Sequence, residues 1–137
     1  MGLILDSTVV IAAERRGDTV AEFLRQVSRV AGDQEFALSS VGLTELVHAL
    51  YRAPSIQIRA RREDFILSLL GVVEVVPFAR STAFLAGRID GEQRCVGVTI
   101  PSLDLLIGAT ALEIGYSIAT VNLRHFKLIP GLDVIAL

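Results

Sequence analysis

At 137 residues, 52% apolar and 20% charged with a net charge of −2, the chain is sized for a single domain spanning 1–137 and can bury enough surface to fold. Cys95 is the only cysteine, which excludes a disulfide scaffold and a cysteine-based zinc site, and the charge balance gives no bulk sign of a strongly basic nucleic-acid binder. The mean hydropathy of +0.57 raises the question of a membrane span. However, the most apolar stretch, 103–114, contains Asp104, Thr110 and Glu113 and falls short of the roughly 18 apolar residues a spanning helix needs. No membrane association is expected. The start, Met1-Gly2-Leu3-Ile4-Leu5-Asp6, lacks the basic region and longer apolar stretch of a signal peptide, so a cytoplasmic protein is expected.

In chain order, residues 2–6 form a short apolar run ending in an acid, the pattern of a buried strand. Ser7 is expected to cap a helix through Arg16, closed by Gly17. Residues 19–31 place Val20, Phe23, Leu24, Val27 and Val30 at helical spacing, with Gly32 as the stop. Residues 35–39 read as a second strand. Ser40 opens a helix that directs Leu43, Leu46, Val47 and Leu50 inward. Pro54 separates it from a helix over 55–70 with Ile58, Phe65, Ile66, Leu69 and Leu70 on its apolar face. Gly71 ends that helix, residues 72–77 are strand-like, and a further helix spans 81–94. After a loop over 95–101, Ser102 is expected to cap an almost wholly apolar helix to about Ile114, which must be central because so few of its faces tolerate water. Residues 116–121 and 134–137 complete the strands.

Strands alternating with helices argue for an α/β fold with a mainly parallel central sheet. Such sheets gather ligands beyond the carboxyl ends of their strands. Four polar residues meet that requirement: Asp6 ends the first strand, Glu45 lies just over one turn into the helix after the second, Asp104 sits in the first turn of the apolar helix, and Asn122 follows the strand over 116–121. A carboxylate among Leu103, Leu105, Leu106 and Ile107 is costly to bury unless it is paired, bound to a cation or held by its helix N-terminus. Taken singly, Asp104 and Asp6 also read as helix-terminus acids and Glu45 as an exposed helix glutamate. Taken together, three acids at one sheet edge make a hard-oxygen site suited to Mg²⁺ or Mn²⁺, and such a site supports attack of water on a phosphodiester.

The residues Leu3-Ile4-Leu5-Asp6-Ser7-Thr8, Ser39-Ser40-Val41-Gly42-Leu43-Thr44-Glu45-Leu46, Ser102-Leu103-Asp104-Leu105-Leu106-Ile107-Gly108-Ala109-Thr110-Ala111-Leu112 and Ala119-Thr120-Val121-Asn122-Leu123-Arg124-His125-Phe126 occur in this order over nearly the whole chain. In this the chain resembles PIN-domain proteins of the VapC type, the ribonuclease toxins of toxin–antitoxin pairs. The resemblance implies a three-layer α/β/α sandwich and a Mg²⁺- or Mn²⁺-dependent endoribonuclease with RNA as substrate. It also implies a cognate antitoxin that inserts a segment into the acidic site, and a homodimer. Asp6, Glu45 and Asp104 match the family's metal-binding acids. Asn122 falls where many members carry a further Asp, although Asn also occurs there; the departure removes one carboxylate and counts against a second metal. Thr120 and Ser7 take the place of groups supporting the acids, with Ser7 as a plain helix cap the alternative.

Arg124 is a candidate for steadying the scissile phosphate. His125 reads as a surface histidine beside it, with a general base as the lesser alternative, and His48 as a partly buried, hydrogen-bonded one. The arginine clusters 15–16 and 59–62 read as solvated helix faces. Cys95 has no assigned role. The main rival is a PIN-like module, weakened as an enzyme, that binds nucleic acid or protein; Asn122 motivates it. A receiver-type phosphotransfer domain ranks last, because no second acid adjoins Asp6 and the only lysine is Lys127. The apolar excess predicts that part of it lies on an interface.

Overall fold

The computed structural model describes residues 1–137 and arranges them on five strands, all pairing in parallel in the order β3-β2-β1-β4-β5. The elements are β1 (Gly2–Leu5), α1 (Ser7–Arg16), α2 (Val20–Ala31), β2 (Glu35–Ser39), α3 (Ser40–Tyr51), α4 (Ile56–Leu70), β3 (Glu74–Val76), α5 (Arg80–Cys95), α6 (Ser102–Glu113), β4 (Ser117–Thr120), α7 (Leu123–Phe126) and β5 (Val134–Ala136). Every expected strand and long helix is present. The strand expected over 72–77 is shorter, and α7 was not foreseen, because one turn is too short to show a period of 3.6.

β1 lies at the centre and is buried on both faces. Its side chains alternate: Leu3 and Leu5 join a cluster built with α1–α4, whereas Ile4 joins a second cluster with α5, α6 and α7. The result is the expected α/β/α sandwich. Helix α6 supplies Leu105, Ile107, Ala109 and Ala111 to the second cluster, which bears out its reading as a central helix. Phe23 anchors α2 in the first cluster and Phe126 anchors α7 in the second, the latter with no exposed surface. At the head of β1 the Tyr116 ring lies where a side chain at position 2 would stand, so only glycine fits there, and the Tyr116 hydroxyl donates to Glu35 Oε2 at 3.0 Å.

Several local expectations change. Asp6, not Ser7, occupies the N-cap position of α1, and Ser7 is the first helical residue. Pro101, not Ser102, precedes α6 in the same sense; its missing N–H costs nothing at a helix start. Val47 is exposed, because Leu46 and Leu50 already fill the buried stripe of α3. His48 is exposed beside it, contrary to the expected partial burial. Large exposed apolar side chains include Ile56, Leu67, Val72, Phe84 and Val96.

Helix α2 begins with a reciprocal cap in which Thr19 Oγ1 accepts from the Glu22 amide at 3.1 Å and the Thr19 amide donates to Glu22 Oε1 at 3.3 Å. Replacing Thr19 with Ala removes the hydroxyl half of this box. Urea denaturation is expected to show a loss of about 1 kcal/mol with an unchanged slope.

Candidate active site

The chain leaves β1 toward β2 and β3 on one side and reaches β4 and β5 on the other, so β1 and β4 flank the point where the strand order reverses. Carboxyl ends at such a point form a natural crevice. Asp6 follows β1 directly, its amide donating to the Ala119 carbonyl at 3.0 Å, and Thr120 ends β4.

Asp6 is 1% exposed. Its Oδ2 accepts from Thr8 Oγ1 at 2.6 Å and Thr120 Oγ1 at 2.8 Å, whereas Oδ1 is buried with no partner. Glu45 Oε1 accepts from Ser7 Oγ at 2.8 Å, and Asp104 Oδ2 lies 2.6 Å from His125 Nδ1. The three carboxylates share one plan: one oxygen is tied back to a neutral hydroxyl or an imidazole, and the other makes no hydrogen bond within the protein.

They also sense one another. Burial raises the Asp6 pKa above its ordinary value; the Thr8 and Thr120 hydroxyls oppose this, and the Asp104 charge adds to it. Burial likewise raises Glu45, against the Ser7 hydroxyl and with the charges of Asp6 and Asp104. Clustered carboxylates, of which Asp6 and Glu45 are held above their ordinary pKa by burial and neighbouring charge, suit a hard divalent cation, and an orphaned buried Asp6 oxygen is a donor in want of a partner. The fit has a limit: no three of these groups stand close enough to form a ligand cage as they are. A cation would have to draw the free oxygens together.

The residues expected at the site are placed as follows. Asp6, Glu45 and Asp104 face one another electrostatically, and Ser7 and Thr120 each bond to one of the acids. Asn122 is tied to the group by its amide, which donates to Thr120 Oγ1 at 2.9 Å, and by its side chain, which lies 2.6 Å from His125 Nδ1. Arg124 is exposed on α7 and makes no hydrogen bond or ion pair to the acids. Two participants were missed. Thr8 was hidden because a hydroxyl two residues after an acid looks like any helix N-terminal residue. His125 was read as a surface side chain because α7 was not recognised; the Asn122-x-x-His125 spacing across one helical turn was the available signal.

Thr8, Ile11, Ala12, Arg15, Val121 and Asn122 line an open cleft of about 510 Å³ running from the site along α1. A narrower, mostly apolar cleft of about 190 Å³ between α1 and α2, lined in part by Val9, Phe23, Val27 and Leu137, shares Ala12 and Val121 with it. No helix is long and apolar enough to cross a membrane.

Comparison with known proteins agrees with this fold. The family model for the PIN domain matches residues 3–132. Ribonuclease VapC1 of Rickettsia felis is 30% identical over 135 residues, covering 98% of this chain and 96% of that protein. Ribonuclease VapC of Rickettsia bellii is 31% identical over the same shares. Among solved structures, VapBC2 of Rickettsia felis bound to a promoter DNA fragment superposes with a TM-score of 0.83 at 23% identity, covering 100% of this chain and 99% of that one. DNA-bound VapBC of Salmonella typhimurium gives 0.82 at 22% identity, with 99% and 98% covered. The structural likenesses establish a common fold, and the family match and sequence relatives establish descent: the chain belongs to the PIN-domain family, in the group of proteins named Ribonuclease VapC.

Proposed function

We propose that this protein is a divalent-metal-dependent endoribonuclease and the toxin member of a toxin–antitoxin pair. The observation that carries the reading is the shared plan of Asp6, Glu45 and Asp104, three carboxylates fixed through one oxygen with the other free. When bound, Mg²⁺ or Mn²⁺ would supply an acidified water and neutralise charge on the scissile phosphate. The three acids would hold it through Asp6 Oδ1 and the unbonded oxygens of Glu45 and Asp104. Thr8, Thr120 and Ser7 orient those acids. Arg15 lines the same cleft as Thr8 and Asn122, and Arg124 is exposed two residues after Asn122; these are the cations available to RNA phosphates flanking the site. The mostly apolar cleft between α1 and α2, continuous with the site cleft, suits an apolar segment of an antitoxin. The exposed apolar side chains, Phe84 and Ile56 among them, suit a homodimer. A cytoplasmic location follows from RNA as substrate.

The test is cleavage of tRNA, rRNA and mRNA pools by protein separated from its antitoxin. Cutting is expected with Mg²⁺ or Mn²⁺ and is abolished by EDTA. If no pool is cut with either ion, the nuclease reading fails. The rival, a PIN-like binding module without catalysis, is favoured by Asn122 and by the ungathered carboxylates. It predicts RNA or protein binding, no resolvable Mn²⁺ affinity, and no cleavage gained by Asn122→Asp.

A further inference from the structure

Two contacts converge on one ring nitrogen. His125 Nδ1 lies 2.6 Å from Asp104 Oδ2, and Asn122 Nδ2 stands 2.6 Å from the same atom. A carboxylate only accepts, so the hydrogen in the Asp104 contact belongs to Nδ1. A nitrogen that carries it has no lone pair left for an amide N–H. The Asn122 amide, whose two ends exchange by a half-turn, must therefore present its oxygen to His125. That oxygen then shares the one Nδ1 hydrogen with Asp104 Oδ2, as the second acceptor of a three-centre bond.

The supports of this contact are rigid. His125 rides on α7, whose next residue, Phe126, is fully buried in the cluster that also holds α6, the helix bearing Asp104. Hydrogen bonds then run without a break from Asp6 through Thr120 to the Asn122 amide, and from the Asn122 side chain through His125 to Asp104.

We infer that His125 is a positioning residue for Asp104: it clamps Oδ2, leaving Oδ1 as the oxygen offered to a cation, while Asn122 acts on His125 and is not itself a ligand. The inference rests on the metal-dependent reading above and reassigns the fourth corner of the site. An imidazole N–H aligning a carboxylate is the mirror image of the carboxylate that usually aligns a metal-bound histidine, and loss of such a support typically weakens metal binding about 10- to 100-fold.

The experiment is calorimetric Mn²⁺ titration of the full chain carrying His125→Ala, His125→Asn, Asn122→Ala or both alanines, with thermal melts to show that each folds. His125→Ala is expected to weaken Mn²⁺ binding about tenfold or more. His125→Asn, whose side-chain N–H can stand in for Nδ1–H, should restore most of the affinity. Asn122→Ala alone should cost a few-fold and should add nothing to His125→Ala, the non-additivity of two residues acting in series. Unchanged affinity in His125→Ala, or simple addition in the double variant, overturns the inference. If wild type binds no Mn²⁺, the metal reading falls instead, and the clamp is decided on metal-free protein by long-range ¹H–¹⁵N spectra. A proton on His125 Nδ1 that moves in Asp104→Asn supports it, and an Nε2–H tautomer overturns it.

Discussion

Asp6→Asn is expected to cut kcat for RNA cleavage by about a thousandfold or more, the scale seen when a group acting on the reacting atoms is lost. It should leave the fold intact. The amide oxygen can replace Oδ2 as acceptor for Thr8 and Thr120, so the β1–β4 junction survives. What disappears is a negative charge that is 1% exposed and already disfavoured by burial. The amide nitrogen takes the buried place of the unpartnered Oδ1 and offsets part of that relief, so metal-free Asp6→Asn is expected to stay within about 1–3 kcal/mol of wild type at neutral pH, despite its inactivity. Such a split between activity and stability marks a group held for function. A parallel loss of stability in urea, tracking the loss of cleavage, would show Asp6 to be structural.

The second large effect is on stability and depends on pH and metal together. Asp6 and Glu45 have folded pKa values raised above the ordinary 3.8 and 4.5. Between the ordinary and the raised values the folded chain keeps protons that the unfolded chain has released, so metal-free stability falls as pH climbs through that window. Above it the full cost is present; below it there is none. Mn²⁺ binds the ionised carboxylates and should reverse the trend, adding about 2.7 kcal/mol when its concentration is a hundred times Kd. Melts of wild type and Asp6→Asn across pH 4 to 8, in EDTA and in Mn²⁺, check both statements, because subtracting the variant removes the other titrating groups. A wild-type excess that grows with pH in EDTA, or an equal Mn²⁺ effect in both proteins, contradicts them.

Much of the architecture was legible because its signals are local and repeated. Glycines after α1 and α2, the alternation of Leu3, Ile4 and Leu5, and the unbroken apolar character of α6 each state burial or termination directly. The acids were legible for a different reason: Asp6, Glu45 and Asp104 occupy positions where a parallel sheet collects ligands. What stayed hidden depends on contacts across the chain. The bond from Thr120 to Asp6, expected only through the family resemblance, forms only once β4 lies beside β1, and the role of His125 depends on one helical turn pinned by a buried Phe126. The capping roles given to Ser7 and Ser102 failed because each helix starts one residue earlier than the first hydroxyl suggests. Ser7 is then free to hold Glu45.

The hydrogen bond between Thr120 and Asp6 joins residues 114 positions apart. Synthesis proceeds from the N-terminus at about 5–20 residues per second, so a chain still emerging holds its first acid for several seconds before the strand that completes the pocket exists. During that time Asp6 has Thr8 beside it but lacks Thr120, the partner that β4 brings. Parallel pairing across so long a loop is also intrinsically slow. Assembly of the site is thus a late event in the life of each molecule, and a chain halted before residue 120 is inert however many of its acids have been made.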